Sequence, residues 1–220
     1  MPDRPVLYTC ARSRGLRATW AAEEAGVDID LRILPFPPRY LAPEYMALNP
    51  LGTVPMLVDG GTRLTESCAI AHYLATRDGF TALAVAPGTR DYGEYCDYTY
   101  HADATITFPQ TVYMRFCLFE KDKGLQDAGH AYAKWFHKRL VKVEQRLEGR
   151  EFLCADRFTV ADICIGYALL LAESVGLDDG VPDSLKAYRA RLLERPALQR
   201  AMAREDAGLK ALEQKTPQVG

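Results

Sequence analysis

The sequence lacks any run of apolar residues long enough to span a bilayer. Its N-terminus also lacks the charged start and apolar stretch of a secretory signal. Neither sign of charge dominates, because 27 Lys and Arg residues stand against 29 Asp and Glu residues. A chain with this charge balance is a poor ligand for nucleic acid or for an anionic membrane surface. We therefore predict a soluble, cytoplasmic protein with no nucleic-acid partner and no membrane partner.

Motifs that hold metals or exchange disulfides are missing as well. No two cysteines are spaced as Cys-x-x-Cys, and the histidines are scattered along the chain. In a reducing compartment such cysteines are usually small, buried, apolar residues. We therefore predict no metal cofactor. The residues concerned are Cys10, Cys68, Cys96, Cys117, Cys154 and Cys164, with His72, His101, His130 and His137.

What the sequence does have is apolar residues, 48 % of 220, which is enough for one large core or two smaller ones. The first third of the chain alternates between strand and helix patterns, in the order strand, helix, strand, loop, strand, strand, helix. The predicted strands lie at 5–9, 30–34 and 56–58, and the predicted helices at 16–25, at 43–48 and from 65 onward.

The stretch 49–70 is the most informative part of this third. A loop leads into a short strand, and Asp59-Gly60-Gly61 is typical of a hairpin turn. We predict a cis peptide bond between Val54 and Pro55, just ahead of the strand. A backbone turned outward there can pair with an extended peptide, and the helix start at Glu66-Ser67 suits a carboxylate. The pattern alone indicates either a site for a small acidic peptide or a buried hairpin that runs into a core helix.

The rest of the chain carries helical patterns and no strand pattern of any length. Pro109 is expected to kink or break the first long helix. Thr159-x-x-Asp162 is typical of a capping box at the start of an apolar helix. We predict a first domain at 1–78, a linker at 79–90 and an all-helical domain at 91–220. The predicted helices of this part lie at 91–120, 126–147, 160–175, 184–194 and 196–212.

Two sets of motifs carry a resemblance to a known family. Asn49-Pro50-x-Gly52-x-Val54-Pro55-x-Leu57 is followed by Glu66-Ser67-x-Ala69-Ile70, and Thr159-x-x-Asp162 lies in the second half. Together they resemble the glutathione transferase family, in its bacterial-type or serine-type branch. The resemblance implies an α/β thioredoxin-like N-terminal domain followed by an all-α C-terminal domain. It also implies a homodimeric detoxification enzyme that takes glutathione as co-substrate and a small hydrophobic electrophile as acceptor.

The resemblance further implies roles for individual residues. Val54 would pair through its backbone with the cysteinyl part of glutathione, and Glu66 and Ser67 would bind the γ-glutamyl group. Arg39 and Tyr40 lie where the family often places a basic or polar residue against the glycyl carboxylate, and of the two Tyr40 is not basic. The predicted glutathione-binding residues are Tyr40, Thr53, Val54, Pro55, Glu66 and Ser67.

Thiol activation is expected in the loop that follows the first strand, residues 9–14. A thiol with a pKa of about 8.5 needs a stabilising donor to be a thiolate at neutral pH. Ser13 is the first candidate, because a hydroxyl at a helix start, with the helix dipole, favours the charged sulfur. Cys10 is the second, through a mixed disulfide, and Tyr8 is the third, through its phenol. The alternatives to a transferase are a thiol-disulfide oxidoreductase that uses Cys10 and a non-catalytic protein that binds glutathione or a partner.

The acceptor electrophile is expected to contact the helical half. An aromatic-rich pocket suits flat apolar molecules, although each aromatic residue taken singly is equally typical of a core or a dimer interface. The candidates are Tyr98, His101, Thr105, Phe108 and Tyr113. The sequence does not identify the electrophile.

Overall fold

The computed structural model describes residues 4–79 and 81–215, and the chain divides into two compact units. Unit 1 comprises the residues up to Thr81 together with those from Glu194 onward, and unit 2 runs from Ala82 to Leu193. The sequence-based division at 1–78, 79–90 and 91–220 assigns the last helix to the helical domain, whereas contacts within the structure group it with the strands. Among the described residues, no helix is both long enough and apolar enough to cross a membrane.

Unit 1 contains a four-stranded sheet in the order β2-β1-β3-β4. The first strand pairs in parallel with the second, where Leu7 lies opposite Leu31, and antiparallel with the third, where Leu7 lies opposite Leu57. Leu7 and Leu57 are fully buried, so the centre of the sheet is part of the core. This topology is the predicted thioredoxin-like one. The strands are β1 (Val6–Thr9), β2 (Asp30–Ile33), β3 (Met56–Asp59) and β4 (Thr62–Leu64).

The helices follow most of the predicted positions. The first ends at Gly26, whose φ of 68° is a left-handed conformation that glycine adopts at low cost. It buries a face rich in alanine together with Trp20. In chain order the α-helices are α1 (Leu16–Ala25), α2 (Pro38–Leu41), α3 (Ser67–Thr76), α4 (Tyr92–His101), α5 (Phe108–Tyr113), α6 (Gln126–Leu147), α7 (Val160–Ser174), α8 (Asp183–Leu193) and α9 (Pro196–Lys215).

Within unit 1, α9 packs against α1 and β2. Arginines of α9 and the residue just before it form ion pairs with α1. Arg195 pairs with Glu24 at 2.6 Å, and Arg200 and Arg204 pair with Glu23 at 2.8 and 2.6 Å. Burial raises the pKa of Glu23, but the hydrogen bonds from Arg200 and Arg204 outweigh burial and lower it. The last helix is therefore attached along the first helix by matched charges.

In unit 2 the chain remains helical through Pro109, so of the predicted kink or break, the break does not occur. The path changes from α to π geometry on either side of α5, at Ala102–Thr107 and Met114–Phe119. In the first π segment, the N–H of Phe108 bonds to the carbonyl of Asp103, five residues back. A wider turn of this kind accommodates a proline, which has no N–H to donate, without ending the helix.

The predicted linker is partly built into unit 2. Leu83 is buried, and its carbonyl accepts the N–H of Val160 at 2.8 Å. Arg157 donates to the carbonyls of Ala82 and Ala84 at 2.8 and 2.9 Å. Residues 82–84 of this segment are therefore fixed to the helical unit.

The predicted capping box at the start of α7 is present. Asp162 accepts the N–H of Thr159 at 2.8 Å, and it also accepts the hydroxyl of Tyr188 at 2.6 Å and the N–H of Leu153 at 3.0 Å. Burial raises the pKa of Asp162, although each of these donors favours its charged form. The role of this cluster is structural, since it joins α7 to α8 and to the preceding turn.

Candidate functional site

The loop after β1 is held by hydrogen bonds between small polar groups. Ser13 Oγ lies 3.1 Å from Thr9 Oγ1 and accepts the N–H of Gly15 at 3.2 Å. Thr9 Oγ1 also lies 3.1 Å from the carbonyl oxygen of Cys10. A hydroxyl has only one proton to donate. If Thr9 donates to the carbonyl of Cys10, the hydrogen bond between Thr9 and Ser13 must be donated by Ser13. If Thr9 donates to Ser13 instead, the Ser13 proton is available to an incoming acceptor.

Gly15 sets how closely this loop approaches β1. A Cβ at Gly15 would lie 1.8 Å from Thr9 Oγ1 and 2.6 Å from Thr9 Cβ, and Thr9 is fully buried. No larger residue fits at this position unless the loop or the strand moves. The absence of a side chain at Gly15 therefore brings the half-buried Ser13 next to the end of β1 at the start of α1.

Cys10 has the surroundings of a structural thiol. It is 2 % exposed, and its Sγ donates to the carbonyl of Pro35 at 3.6 Å. Burial, with a smaller contribution from the charge of Glu205, raises the pKa of Cys10 to about 12. A thiol with this pKa is almost entirely protonated at neutral pH, and the thiolate is the nucleophilic form.

Tyr8 and Val54 lie on the same apolar cluster. Its buried members are Ala42, Tyr45 and Met56, and both Tyr8 and Val54 pack against them. The ring centroids of Tyr8 and Tyr45 are 5.7 Å apart. The structure thus brings together a candidate from β1 and the residue that precedes the predicted cis-proline.

The loop ahead of β3 is fixed by two side chains. The carbonyl of Thr53 accepts the hydroxyl of Tyr45 and the side-chain amide of Asn49, each at 2.8 Å. The Val54–Pro55 peptide bond is cis, as predicted. Within residues 4–79 and 81–215, the backbone N–H and carbonyl of Val54 form no hydrogen bond. The backbone at Val54 therefore combines a fixed position with unused donor and acceptor groups.

The start of α3 lies beside a buried arginine. Ser67 is 4 % exposed, and its Oγ accepts a hydrogen bond from Nη1 of Arg17 on α1 at 2.9 Å. Arg17 itself is fully buried, whereas Glu66 is exposed. The N–H groups in the first turn of α3, its dipole and the guanidinium all favour negative charge at this point. The arrangement suits a carboxylate ligand beside an acidic residue that can pair with an ammonium group.

Tyr40 is 75 % exposed on α2, and its neighbour Arg39 is exposed as well. The stem of Arg39 lies against the loop ahead of β3, because a Cβ at Gly52 would be 3.0 Å from Arg39 Cβ. Arg39, the charged residue of this pair, therefore lies beside the loop that leads to Val54.

The residues proposed for the electrophile lie in unit 2 and differ in exposure. Tyr98 is buried, and its hydroxyl donates to the carbonyl of Lys142 at 3.3 Å. Phe108 is 50 % exposed and its ring meets that of Tyr132 edge-on, with centroids 6.1 Å apart. Burial lowers the pKa of His101, with Lys142 acting in the same direction. Thr105 and Tyr113 are half-buried.

Comparison with known proteins then decides the family. The family model for the glutathione S-transferase N-terminal domain matches residues 11–77, and the model for the C-terminal domain matches residues 111–196. The chain belongs to the glutathione S-transferase family. Both the α/β and the helical parts predicted from the sequence agree with this membership.

Several relatives and solved structures are similar over most of this transferase's length. Glutathione S-transferase GST-4.5 of Xanthomonas campestris is 28 % identical over 171 residues, which are 74 % of this chain and 81 % of that protein. Maleylacetoacetate isomerase of Rhizobium meliloti is 33 % identical over 168 residues, 73 % of this chain and 76 % of that protein. A ternary complex of BphK, a bacterial GST, superposes with a TM-score of 0.80 at 27 % identity, over 91 % of this chain and 99 % of that one. These bacterial relatives are in line with the bacterial-type branch, one of the two branches predicted.

Two buried charged residues of this glutathione transferase were not found by sequence reasoning. Arg17 lies on the buried face of α1, one helical turn after Ser13. Glu205, on α9, accepts the N–H of Arg12 and the hydroxyl of Thr19. The sequence feature that could have identified Arg17 and Glu205 is a charged residue at a helical position where the 3.6-residue period predicts an apolar one.

Proposed function

We propose that this family member is a glutathione transferase that binds glutathione, favours the thiolate form of its sulfur and directs it at a small hydrophobic electrophile. The observation that carries the proposal is the backbone of Val54, which is fixed and, among the described residues, unpaired. It lies in the same unit as Ser13 and as the start of α3, whose groups suit a carboxylate. We further propose that the protein acts in detoxification as a cytoplasmic homodimer.

The peptide part of glutathione matches these groups one by one. The cysteinyl backbone pairs with the N–H and carbonyl of Val54, as an added strand would. The γ-glutamyl carboxylate lies at the start of α3 near Ser67 and Arg17, and its ammonium group pairs with Glu66. Arg39 is a better partner for the glycyl carboxylate than Tyr40, because it carries a positive charge and adjoins the Val54 loop.

Thiol activation uses the two proton arrangements of the Ser13 loop. When the sulfur arrives, Thr9 donates to Ser13 and the Ser13 hydroxyl donates to the sulfur. A hydrogen bond to sulfur stabilises the thiolate more than the thiol, so it lowers the pKa of bound glutathione. The positive end of the α1 dipole acts in the same direction.

The burial of Cys10 weighs against the oxidoreductase alternative. With a pKa of about 12, roughly one Cys10 thiol in 10⁵ is ionised at pH 7. Its 2 % exposure leaves little room for the sulfur of a disulfide to approach. Cys10→Ala should therefore change conjugation little, and disulfide reduction should be absent from the wild type.

The test is a pH–rate profile for wild type, Ser13→Ala and Cys10→Ala, with glutathione and a panel of electrophiles. The panel should hold an aryl halide, an epoxide, an α,β-unsaturated carbonyl compound and maleylacetoacetate, which the name of one relative suggests. Ser13→Ala should shift the profile to higher pH, and its rate should converge with that of wild type once the thiol ionises unaided. Glutathione affinity, measured by calorimetry, should change much less, since the peptide contacts lie elsewhere.

Other results would support the other readings. Parallel profiles with no pH shift would reduce Ser13 to a helix-start residue. Disulfide reduction that is lost in Cys10→Ala would favour the oxidoreductase. Glutathione binding without conjugation or reduction, across the whole panel, would favour a non-catalytic binding protein.

A further inference from the structure

The last helix of the chain reaches the loop that carries Ser13. Glu205 on α9 is 1 % exposed; its Oε2 accepts the N–H of Arg12 at 2.9 Å and its Oε1 accepts the hydroxyl of Thr19 at 2.8 Å. One buried carboxylate therefore joins the loop to α1. Because Arg12 directly precedes Ser13, this hydrogen bond fixes the backbone one residue before the candidate catalytic hydroxyl.

The backbone at Arg12 needs such a contact. Its φ is +61°, in the left-handed region that residues with a side chain seldom adopt. Conformations of this kind persist where the surrounding structure holds them. The Arg12 guanidinium also pairs with Asp206 at 3.2 Å, but this pair is largely exposed and contributes little. The buried carboxylate of Glu205 is therefore the stronger of the two contacts to Arg12 from α9.

Glu205 is carried on a firmly packed part of α9. A Cβ at Gly208, three residues later, would lie 2.4 Å from Ile33 Cγ1, which shows how closely the helix approaches β2. Arg204, which directly precedes Glu205, donates to the carbonyl of Ile29 at 3.0 Å and pairs with Glu23. The backbone that carries the Glu205 side chain is therefore held in place on both sides of this residue.

We propose that Glu205 is a positioning residue, which holds the loop from the last helix so that the Ser13 hydroxyl meets the sulfur of bound glutathione. The inference rests on the proposed transferase function. Glu205 acts through the backbone of Arg12, and it is assigned no contact with either substrate. None of the contacts proposed for the glutathione peptide, at Val54 or at Ser67, involves this carboxylate.

The test compares Glu205→Gln with Glu205→Ala, because both remove the charge and only one keeps the length. In Glu205→Gln the side-chain carbonyl can still accept the Arg12 N–H, and the side-chain amide can donate to the Thr19 hydroxyl oxygen. The Thr19 hydroxyl then donates its own hydrogen bond to the carbonyl of Gly15, 3.3 Å away. Glu205→Gln should keep kcat within about threefold of wild type. Glu205→Ala should lower kcat by about 10-fold to 100-fold, as misplaced catalytic groups do, with little change in the KM for glutathione. The pKa of bound glutathione should be higher in Glu205→Ala than in Glu205→Gln.

A third variant keeps the proposal testable if Glu205→Ala does not fold. Glu205→Asp retains the charge but is one methylene shorter, so it should lose kcat although the neutral Glu205→Gln does not. Activity in Glu205→Asp equal to that in Glu205→Gln would overturn the proposal. Glu213→Gln is the matched control, since it makes the same change at an exposed position of the same helix.

Amide NMR tests the loop without any assay of activity. The N–H signals of Arg12 and Ser13 should keep their positions and slow exchange in Glu205→Gln, and they should shift and exchange faster in Glu205→Ala. Failure of the transferase function would show in the wild type, as absent conjugation. Failure of this inference would show only in the variants, as full kcat and unmoved amide signals in Glu205→Ala.

Discussion

Glu205 should make the stability of the protein fall as the pH rises toward neutrality. Burial raises the pKa of Glu205 from its ordinary 4.5 to about 7, against the hydrogen bonds from Arg12 and Thr19, which lower it. Asp206 adds a further small increase. The charged and titratable groups near the carboxylate include Asp206 on its own helix, with Arg12 and Cys10 in the facing loop.

The sign and size of the effect follow from linkage. A carboxyl whose pKa is higher in the folded than in the unfolded state stabilises the fold when protonated. Its contribution is fully present below pH 4.5, and it is lost as the pH rises through about 7. A difference of about 2.5 pKa units, at 1.36 kcal/mol per unit, amounts to about 3 kcal/mol. Screening by solvent reduces this little, because Glu205 is 1 % exposed.

The measurement is urea unfolding of wild type and Glu205→Gln at fixed protein concentration, from pH 4.5 to pH 8. Because glutamine does not titrate, the difference in unfolding free energy between the two proteins gives the contribution of Glu205 ionisation to stability at each pH. Relative to Glu205→Gln, wild type should lose about 3 kcal/mol over this range. A difference that does not change with pH, or wild type gaining on the variant as the pH rises, would refute the assignment of a raised pKa.

Two further substitutions test other parts of the site. Glu66→Ala should weaken glutathione binding by about 10-fold or more in calorimetry, because the ligand loses a charged hydrogen-bond partner; unchanged affinity would remove Glu66 from the site. Gly15→Ala should lower the unfolding free energy by about 1–3 kcal/mol, as overpacking does, because the new Cβ would lie 1.8 Å from Thr9 Oγ1. Wild-type stability in that variant would mean that the loop moves freely away from β1.

The sequence predicted those features that neighbouring residues decide. The strand predicted at 5–9 and the helix predicted at 16–25 are each decided by a few neighbouring residues, and the structure has both as expected. The cap formed by Thr159 and Asp162 is likewise a local exchange of hydrogen bonds. The family resemblance then supplied the sheet topology and the expected ligand, because its motifs span both halves of the chain.

What the sequence did not predict depends on contacts between distant residues. Arg12 and Glu205 are separated by 193 positions, and nothing in the local pattern of α9 joins it to the first unit. Pro109 was a local signal for a break, but the wider turn ahead of it was not foreseeable from propensity. Of the candidates at the first loop, Cys10 was distinguished from Ser13 by burial, which is a tertiary property.

Two buried ionisable residues of unit 1, Arg17 and Glu205, fit the proposed site better than they fit a role in stability alone. Taking a charged group out of water costs free energy that paired contacts only partly return, and an apolar residue of similar size is often the more stable choice. Yet Arg17 and Glu205 are both almost fully buried, one beside Ser67 and the other bonded to Arg12. The role proposed for each is one that an apolar side chain cannot supply. Arg17 presents a cation where the γ-glutamyl carboxylate is proposed to bind, and Glu205 presents an acceptor to a strained backbone beside the proposed thiol-activating hydroxyl.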